Sequence, residues 1–194
     1  MDMQIIRAAD CRVMSWKNGG GTTTEVAISP EGATLDDFDW RVSMAQVASD
    51  GPFSAFPGID RTLAVLSGAG VVLARTDGTS VALTQASEPH SFAGETAITS
   101  RLIDGPILDL NVMTRRGRWR HAMRRISGHG ALRLATKRSL MVLVADDTCS
   151  VGSADKAIVL GPGDSIVLRP GEAFTINEGA EGPLFAIDLW APGA

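Results

Sequence analysis

Eight polar residues lie in or beside segments that otherwise have the composition of β-strands, and their types suit the binding of a small anion. They are Asn18, Thr22, Glu25, Arg41, Ser43, Arg61, Asp109 and Asn111. A guanidinium group is planar and binds a carboxylate through two parallel hydrogen bonds. The set therefore predicts a pocket for a small carboxylate in the first lobe of the chain.

Individual roles follow from the chemistry of these side chains. Arg61 is expected to anchor the carboxylate, and Arg41 to act as a second cation or as a structural partner. Asn111 and Thr22 could hold an amide or hydroxyl group of the same ligand, and the two acidic residues would orient the arginines. Because arginine–carboxylate pairs also tie strands together without a ligand, a purely structural role stays open for each residue.

The three histidines, His90, His121 and His129, do not form a metal-binding pattern. A site built from imidazoles and carboxylates needs several of them brought together on neighbouring strands. The sequence contains no His-x-His pair, and two of the histidines lie in or beside a basic segment. We therefore predict neither a metal nor another cofactor, and we interpret His90 as an ordinary turn residue.

Two further motifs are weak evidence for catalysis or phosphate binding. Ser54 lies outside any Gly-x-Ser-x-Gly elbow, so no catalytic residue is assigned. The glycines of segment 19–21 could surround a phosphate with backbone N–H groups. The segment lacks the Lys-Ser/Thr sequel of a phosphate-binding loop and leads into a strand, which favours a tight turn.

Composition narrows the function classes. The chain has 194 residues, 44% of them hydrophobic, and a formal net charge of −4. This hydrophobic fraction is enough for a buried core. No apolar run approaches the roughly 18–20 residues of a membrane helix. Cys11 and Cys149 have neither CxxC nor zinc spacing, and charges interrupt the N-terminal segment where a signal peptide would be apolar. We expect a cytoplasmic protein.

Six arginines and no carboxylate lie between Arg115 and Arg125. With Trp119 they could contact phosphates or stack on bases. An exposed crossover between two lobes is the alternative, and the acidic remainder of the chain favours it. We therefore expect no nucleic-acid partner and no membrane partner.

The elements that must position the polar set are predicted to be short strands. Twenty-one glycines and nine prolines favour many turns over a helical bundle. Segments 22–29, 40–45 and 107–113 read as strands, and segments 62–66 and 71–75 as a hairpin across the turn at 67–70. Similar segments at about ten-residue spacing continue to residue 190. We predict an all-β chain with a lobe over 1–113, an Arg-rich connector over 114–129 and a second lobe over 130–194.

The turn pattern of the second half, Gly-Asp followed by Pro-Gly, resembles the cupin superfamily. Four phrases in order resemble the HutD/Ves family more specifically, and they span about residues 16–117. These phrases are Trp16-Lys17-Asn18-Gly19-Gly20-Gly21-Thr22 with Glu25, Phe38-Asp39-Trp40-Arg41-Val42-Ser43, Gly51-Pro52-Phe53-Ser54 with segment 56–61, and Leu108-Asp109-Leu110-Asn111-Val112-Met113 with segment 115–117. Leu110 stands where the family more often has phenylalanine.

The resemblance implies a two-lobed cupin (bicupin) of antiparallel jelly-roll barrels, with homodimer formation plausible. It also implies a governor of histidine utilisation that senses a small carboxylate such as formylglutamate or urocanate. Two alternatives stay open: a metal-independent hydrolase or isomerase using Glu25 or Asp109 as base, and a stress-associated protein without a ligand.

Overall fold

A computed structural model describes residues 4–126, 132–136, 140–153, 156–176 and 184–193. In these residues the chain forms β-strands and one short 3-10 helix at Ala8–Asp10. Two compact units are present. The central unit is Arg12–Arg120, and the terminal unit combines the described parts of Met1–Cys11 and His121–Ala194.

The central unit contains two antiparallel sheets. The larger has six strands in the order β2-β3-β4-β11-β6-β9, and the smaller has four in the order β5-β10-β7-β8. The six strands are β2 (Arg12–Ser15), β3 (Gly21–Ser29), β4 (Trp40–Val47), β11 (Ile107–Arg115), β6 (Ile59–Ser67) and β9 (His90–Ala93). The four are β5 (Gly51–Pro52), β10 (Ile98–Leu102), β7 (Val71–Arg75) and β8 (Ser80–Leu83).

One face of the six-stranded sheet packs on the four-stranded sheet and forms the core of the central unit. Leu63 and Val65 alternate along β6 toward this core, because successive side chains of a strand point to opposite faces. They pack in one cluster with Val71 and Leu73 of β7. We call this side of the six-stranded sheet the inner face.

The predicted hairpin between segments 62–66 and 71–75 is wrong. β6 pairs with β11 and β9, whereas β7 pairs with β10 and β8, so segment 67–70 carries the chain from one sheet to the other. Gly68 and Gly70 have φ values of 91° and 124°, which glycine adopts readily. The hairpin of this region is instead β7–β8, with its turn at Gly78.

The terminal unit also has two antiparallel sheets, in the orders β1-β17-β14-β19-β12 and β13-β18-β15-β16. The first comprises β1 (Gln4–Ile6), β17 (Ser165–Leu168), β14 (Leu140–Ala145), β19 (Leu184–Trp190) and β12 (Arg120–Ile126). The second comprises β13 (Leu132–Ala135), β18 (Ala173–Ile176), β15 (Cys149–Ser153) and β16 (Lys156–Leu160). Its main core cluster contains only apolar residues and Cys149.

These units differ from the boundaries expected at 113, 114–129 and 130. β1, expected in the first lobe, pairs with β17 of the terminal unit. The Arg-rich segment is not a simple crossover in its described part. Arg115 ends β11, and β12 supplies an edge strand to the terminal unit, while residues 127–130 lie outside the described residues.

No helix in the described part of the chain is both long and apolar enough to span a membrane. The two cysteines are free thiols, Cys149 being buried and Cys11 half-buried.

Candidate functional site

Strand register brings six of the eight predicted polar residues to the inner face of the six-stranded sheet. Ser43 lies opposite Glu25 on β3 and opposite Asn111 on β11. Met113 lies between Arg41 on β4 and Arg61 on β6. Asp109 shares this face because it is two residues from Asn111 along β11. Side chains from four adjacent strands therefore converge on one face.

The other two predicted residues lie elsewhere. Thr22 is opposite Gln46 and so points to the other face of the sheet. Its neighbour Thr23 has the inner-face position, and its Oγ1 accepts a hydrogen bond from Trp16 Nε1 at 2.7 Å. Asn18 lies in the β2–β3 turn, where its Oδ1 accepts from the Gly20 backbone N–H at 3.0 Å. The geometry does not bring Thr22 or Asn18 to the other six.

Arg41 is held by a buried ion pair. Its Nε donates to Glu25 Oε2 at 2.8 Å, and the two side chains are 7% and 18% exposed. Its Nη1 also lies 3.4 Å from Ser43 Oγ. β3 has a bulge after Glu25. Because the bulge shifts the register by one residue, Ile28 rather than Ala27 lies opposite Arg41. Arg41 was expected to be either a second cation for the ligand or a structural partner. These contacts are those of a structural partner.

Arg61 lies inside an aromatic cage. The rings of Phe53, Phe56 and Phe92 have centroids 5.3, 5.4 and 5.1 Å from its guanidinium carbon. Its Nη1 donates to the Ser54 carbonyl at 3.3 Å, whereas its Nε is buried without a hydrogen-bond partner in the described part of the chain. Burial lowers the pKa of Arg61 to about 10 against the opposing effect of a nearby carboxylate, so the group stays charged at neutral pH.

Asp109 and Asn111 complete the site. Asp109 is 3% exposed, and burial raises the pKa of its carboxyl to about 7, although Arg61 and the Ala45 backbone N–H act in the opposite direction. Asp109 Oδ1 and Asn111 Oδ1 are both buried, and neither has a hydrogen-bond partner among the described residues. A buried acceptor left unpaired costs about 1–3 kcal/mol. These two acceptors and the unpaired Arg61 Nε donor on the same face therefore call for polar groups that the described residues do not supply.

Sequence reasoning missed the aromatic cage. Phe53 and Phe56 lie in the connection between β5 and β6, outside the strands that carry the polar residues. They do contact core clusters, and they also surround Arg61. The available signal was their spacing: an Arg that follows Phe-Ser-Ala-Phe by five residues can fold back onto the rings when a turn intervenes.

The described residues contain no group of three or more His, Cys, Asp or Glu side chains that could hold a metal ion. His90 is on β9, not in a turn as interpreted, and its ring stacks on Phe92 at 6.1 Å. His121 lies on β12, and His129 is outside the described residues.

Several arginines of the basic segment are neutralised by carboxylates within their own unit. Arg116 contacts Asp60 at 2.8 Å and Glu95 at 2.7 Å. Arg118 lies 2.9 Å from Asp39, and Arg124 lies 2.9 Å from Asp188. Much of the positive charge expected on this segment is therefore paired.

Comparison with known proteins gives a family match over most of the chain. The HutD family model matches residues 8–186. An uncharacterised 21.2 kDa protein in the hutC 3′ region of Pseudomonas putida is 35% identical over 156 residues, 80% of each chain. Protein Ves of Citrobacter koseri is 37% identical over 110 residues, 56% of each chain.

Solved structures extend the likeness to the whole fold. HutD from Pseudomonas fluorescens SBW25, solved in a formate condition, has 28% identity and a TM-score of 0.83 over 99% of this chain and 100% of its own. A conserved protein of unknown function from Pseudomonas aeruginosa PAO1 has 28% identity and a TM-score of 0.86 over 98% and 100%. A salicylate 1,2-dioxygenase at 8% identity and TM-score 0.63 shows the fold alone, over 100% of this chain and 86% of its own. The predicted all-β, cupin-like fold of antiparallel sheets is confirmed.

Proposed function

Because this chain belongs to the HutD family, we propose that it binds a small carboxylate at the inner face of the central unit and thereby limits histidine utilisation. The ligand is an intermediate of histidine breakdown such as formylglutamate or urocanate. The protein acts in the cytoplasm, as a regulator rather than a catalyst, and a homodimer is its proposed assembly.

One observation carries the ligand proposal. Arg61 is caged by three phenylalanines, and its Nε donates to nothing in the described part of the chain. A charged guanidinium removed from water without a full set of acceptors is costly unless an anion completes it. A carboxylate is the small anion whose geometry matches the planar guanidinium.

Calorimetric titration with formylglutamate and with urocanate tests this proposal. Arg61→Met keeps much of the side-chain volume and removes the charge. We expect it to weaken binding about 30- to 100-fold, because a charge-assisted hydrogen bond contributes about 2–3 kcal/mol. Arg101→Met is the matched control, because Arg101 is exposed on β10 of the same unit. Equal affinity of wild type and Arg61→Met would remove Arg61 as the anchor.

The regulatory part is tested in cells. A Pseudomonas putida strain lacking its 21.2 kDa relative is complemented with this chain or with its Arg61→Met variant. During growth on histidine, the deletion strain should overproduce histidine-breakdown enzymes. Only the unmodified chain should return the amount of these enzymes to its normal level. Full complementation by Arg61→Met would contradict control through the ligand, and growth without histidine is the control condition.

Asp109 supports a second candidate, a metal-independent hydrolase or isomerase. A general base works best when its pKa is near the working pH, and burial raises the pKa of Asp109 to about 7. Glu25 is less suited to this role because its carboxylate accepts from Arg41. Proton NMR of the same acids incubated with the protein separates the candidates. Product formation that Asp109→Asn abolishes supports the enzyme, and binding without product supports the regulator.

A further inference from the structure

A second buried arginine, Arg125 on β12, lies in the terminal unit and has no role in the function proposed above. Its Nε and Nη2 are both buried, and neither has a hydrogen-bond partner among the residues that the structure describes. Its Nη1 lies 4.0 Å from Asp146 Oδ2, which is beyond hydrogen-bonding distance. Charged donors that are buried without acceptors are costly. The surroundings of Arg125 therefore lack an acceptor group.

The two unpartnered nitrogens form one edge of the Arg125 guanidinium. The Nε–H bond and one N–H bond of Nη2 are parallel, and a carboxylate that approaches this edge side-on accepts both of them. Nη1, the nitrogen nearest to Asp146, is not part of this edge. We call the Nε–Nη2 side of the guanidinium the side-on edge of Arg125. It has the geometry for one planar acceptor with two oxygens.

Strand alternation places the Arg125 side chain on the face of the five-stranded sheet that points away from the main core cluster of the terminal unit. The next residue, Ile126, packs against that cluster, and Leu184 and Ala186 of the neighbouring strand β19 belong to it. Arg125 and Phe185 therefore share the opposite face. The centroid of the Phe185 ring lies 4.8 Å from the guanidinium carbon. The ring attracts the cation without supplying an oxygen acceptor.

We propose that the side-on edge of Arg125 is a second anion-binding site, which takes the carboxylate group of a small monocarboxylate. Arg61 belongs to the central unit and Arg125 to the terminal unit, so the two sites are built from different residues. The two coplanar oxygens of a carboxylate match the two parallel N–H groups. Asp146 favours a singly charged ligand, because its carboxylate repels a dianion such as phosphate more strongly than a monoanion.

Nitrogen-15 NMR of the full chain tests the proposal with acetate as the probe. The Nε–H resonance of Arg125 is assigned by comparison with Arg125→Met, and acetate is added at neutral pH and constant ionic strength. We expect a saturable downfield shift of this proton at millimolar acetate, because the carboxylate accepts directly from it. Absence of a saturable shift would overturn the proposal. An equal shift with chloride would overturn the carboxylate class.

Variants assign acetate binding to the side-on edge. They are made in the Arg61→Met background, which keeps the result separate from that of the proposed function, and ligand-observed NMR measures the affinity for acetate. Arg125→Lys keeps the charge but lacks two parallel N–H groups, so it should weaken binding at least about tenfold. Arg124→Met is the matched control on the same strand, because Arg124 contacts Asp188 at 2.9 Å. Unchanged affinity in Arg125→Lys would overturn the assignment.

Asp146→Asn gives a result of opposite sign and keeps the proposal testable if Arg125→Lys does not fold. It removes the carboxylate nearest to the guanidinium, so acetate should bind about three- to tenfold more tightly. Asp147→Asn, whose carboxylate accepts from the neighbouring Thr148 backbone N–H, is the matched control and should have a smaller effect. Melting curves check that each variant is folded. Unchanged or weaker binding in Asp146→Asn would contradict a site at Arg125.

Discussion

Asp109 couples the stability of the protein to pH. Its carboxyl has a pKa of about 7 in the folded chain against an ordinary value of 3.8, so folding favours the protonated form. The stabilisation is complete below pH 4 and is lost as pH rises to about 7. Each tenfold change in proton affinity is worth about 1.4 kcal/mol, so the free energy of unfolding should fall by about 2–4 kcal/mol over this range.

Denaturant titrations between about pH 4 and pH 8 measure this fall in the wild type and in Asp109→Asn. In the variant, most of the dependence of the unfolding free energy on pH should disappear. Asp146 contributes with the same sign, because burial raises its pKa to about 6. Asp146→Asn is therefore the matched variant, expected to remove a smaller part. An unchanged pH dependence in Asp109→Asn would contradict the burial of its carboxylate.

The Arg41–Glu25 pair should matter more for folding than any exposed pair. Glu25→Gln leaves the Arg41 guanidinium buried without its counter-charge, and we expect a loss of about 2–4 kcal/mol in unfolding free energy. Glu95→Gln breaks an Arg116 ion pair whose side chains are 44% exposed, and solvent screening should make its cost clearly smaller than that of Glu25→Gln. Chemical denaturation compares them, and equal costs would show that the Glu25 pair is solvated.

At the residue scale, the structure brings together six of the eight residues predicted for the site, all of them polar residues that interrupt apolar strands. Thr22 was misplaced because segment 22–24 is three threonines, and identical residues carry no information about which one points inward. The bulge after Glu25 further changes the phase of β3. Asn18 was misplaced because the side chain of an Asn in a Gly-rich turn can bond to its own backbone.

At the element scale, strands with β-branched and aliphatic runs were predicted within a few residues, β3, β4 and β11 among them. β15 was not among the predicted strands because Cys149–Ser153 is rich in small residues. β12 was missed because its three arginines were interpreted as part of a connector. Strand pairing was harder to predict. The turn at 67–70 looks like a hairpin locally, and only the long-range pairing of β6 with β11 sends the two strands to different sheets.

The turn at 67–70, which connects the two sheets, should be sensitive to substitution at Gly70. A Cβ added at Gly70 would collide with the Leu83 carbonyl, and φ there is 124°. Gly70→Ala should therefore lower the unfolding free energy by more than about 2 kcal/mol. Gly78→Ala, at φ 86° with no atom within 4 Å of the added carbon, should cost only about 1 kcal/mol. Similar melting temperatures for both variants would contradict the collision.

At the scale of the whole molecule, the chain begins and ends in the same unit. β1 pairs with β17 in antiparallel register, and Arg7 Nη1 lies 2.6 Å from Asp164 Oδ2. Asp164 also accepts from the backbone N–H groups of Ala8 and Gly161. The N-terminal segment therefore completes a sheet whose other strands are synthesised more than a hundred residues later.

Removal of residues 1–11 should consequently weaken the terminal unit and spare the central one. Hydrogen exchange followed by mass spectrometry should show faster exchange in β17 and β14, with β4 and β11 unchanged, because the latter pair within the central unit. Asp164→Ala should produce the same pattern more weakly, since it breaks the contacts to Arg7 and Ala8 but keeps the β1–β17 ladder. Loss of protection in β4 and β11 to the same extent would show that the two units unfold as one, and that the N-terminal strand stabilises the candidate site as well.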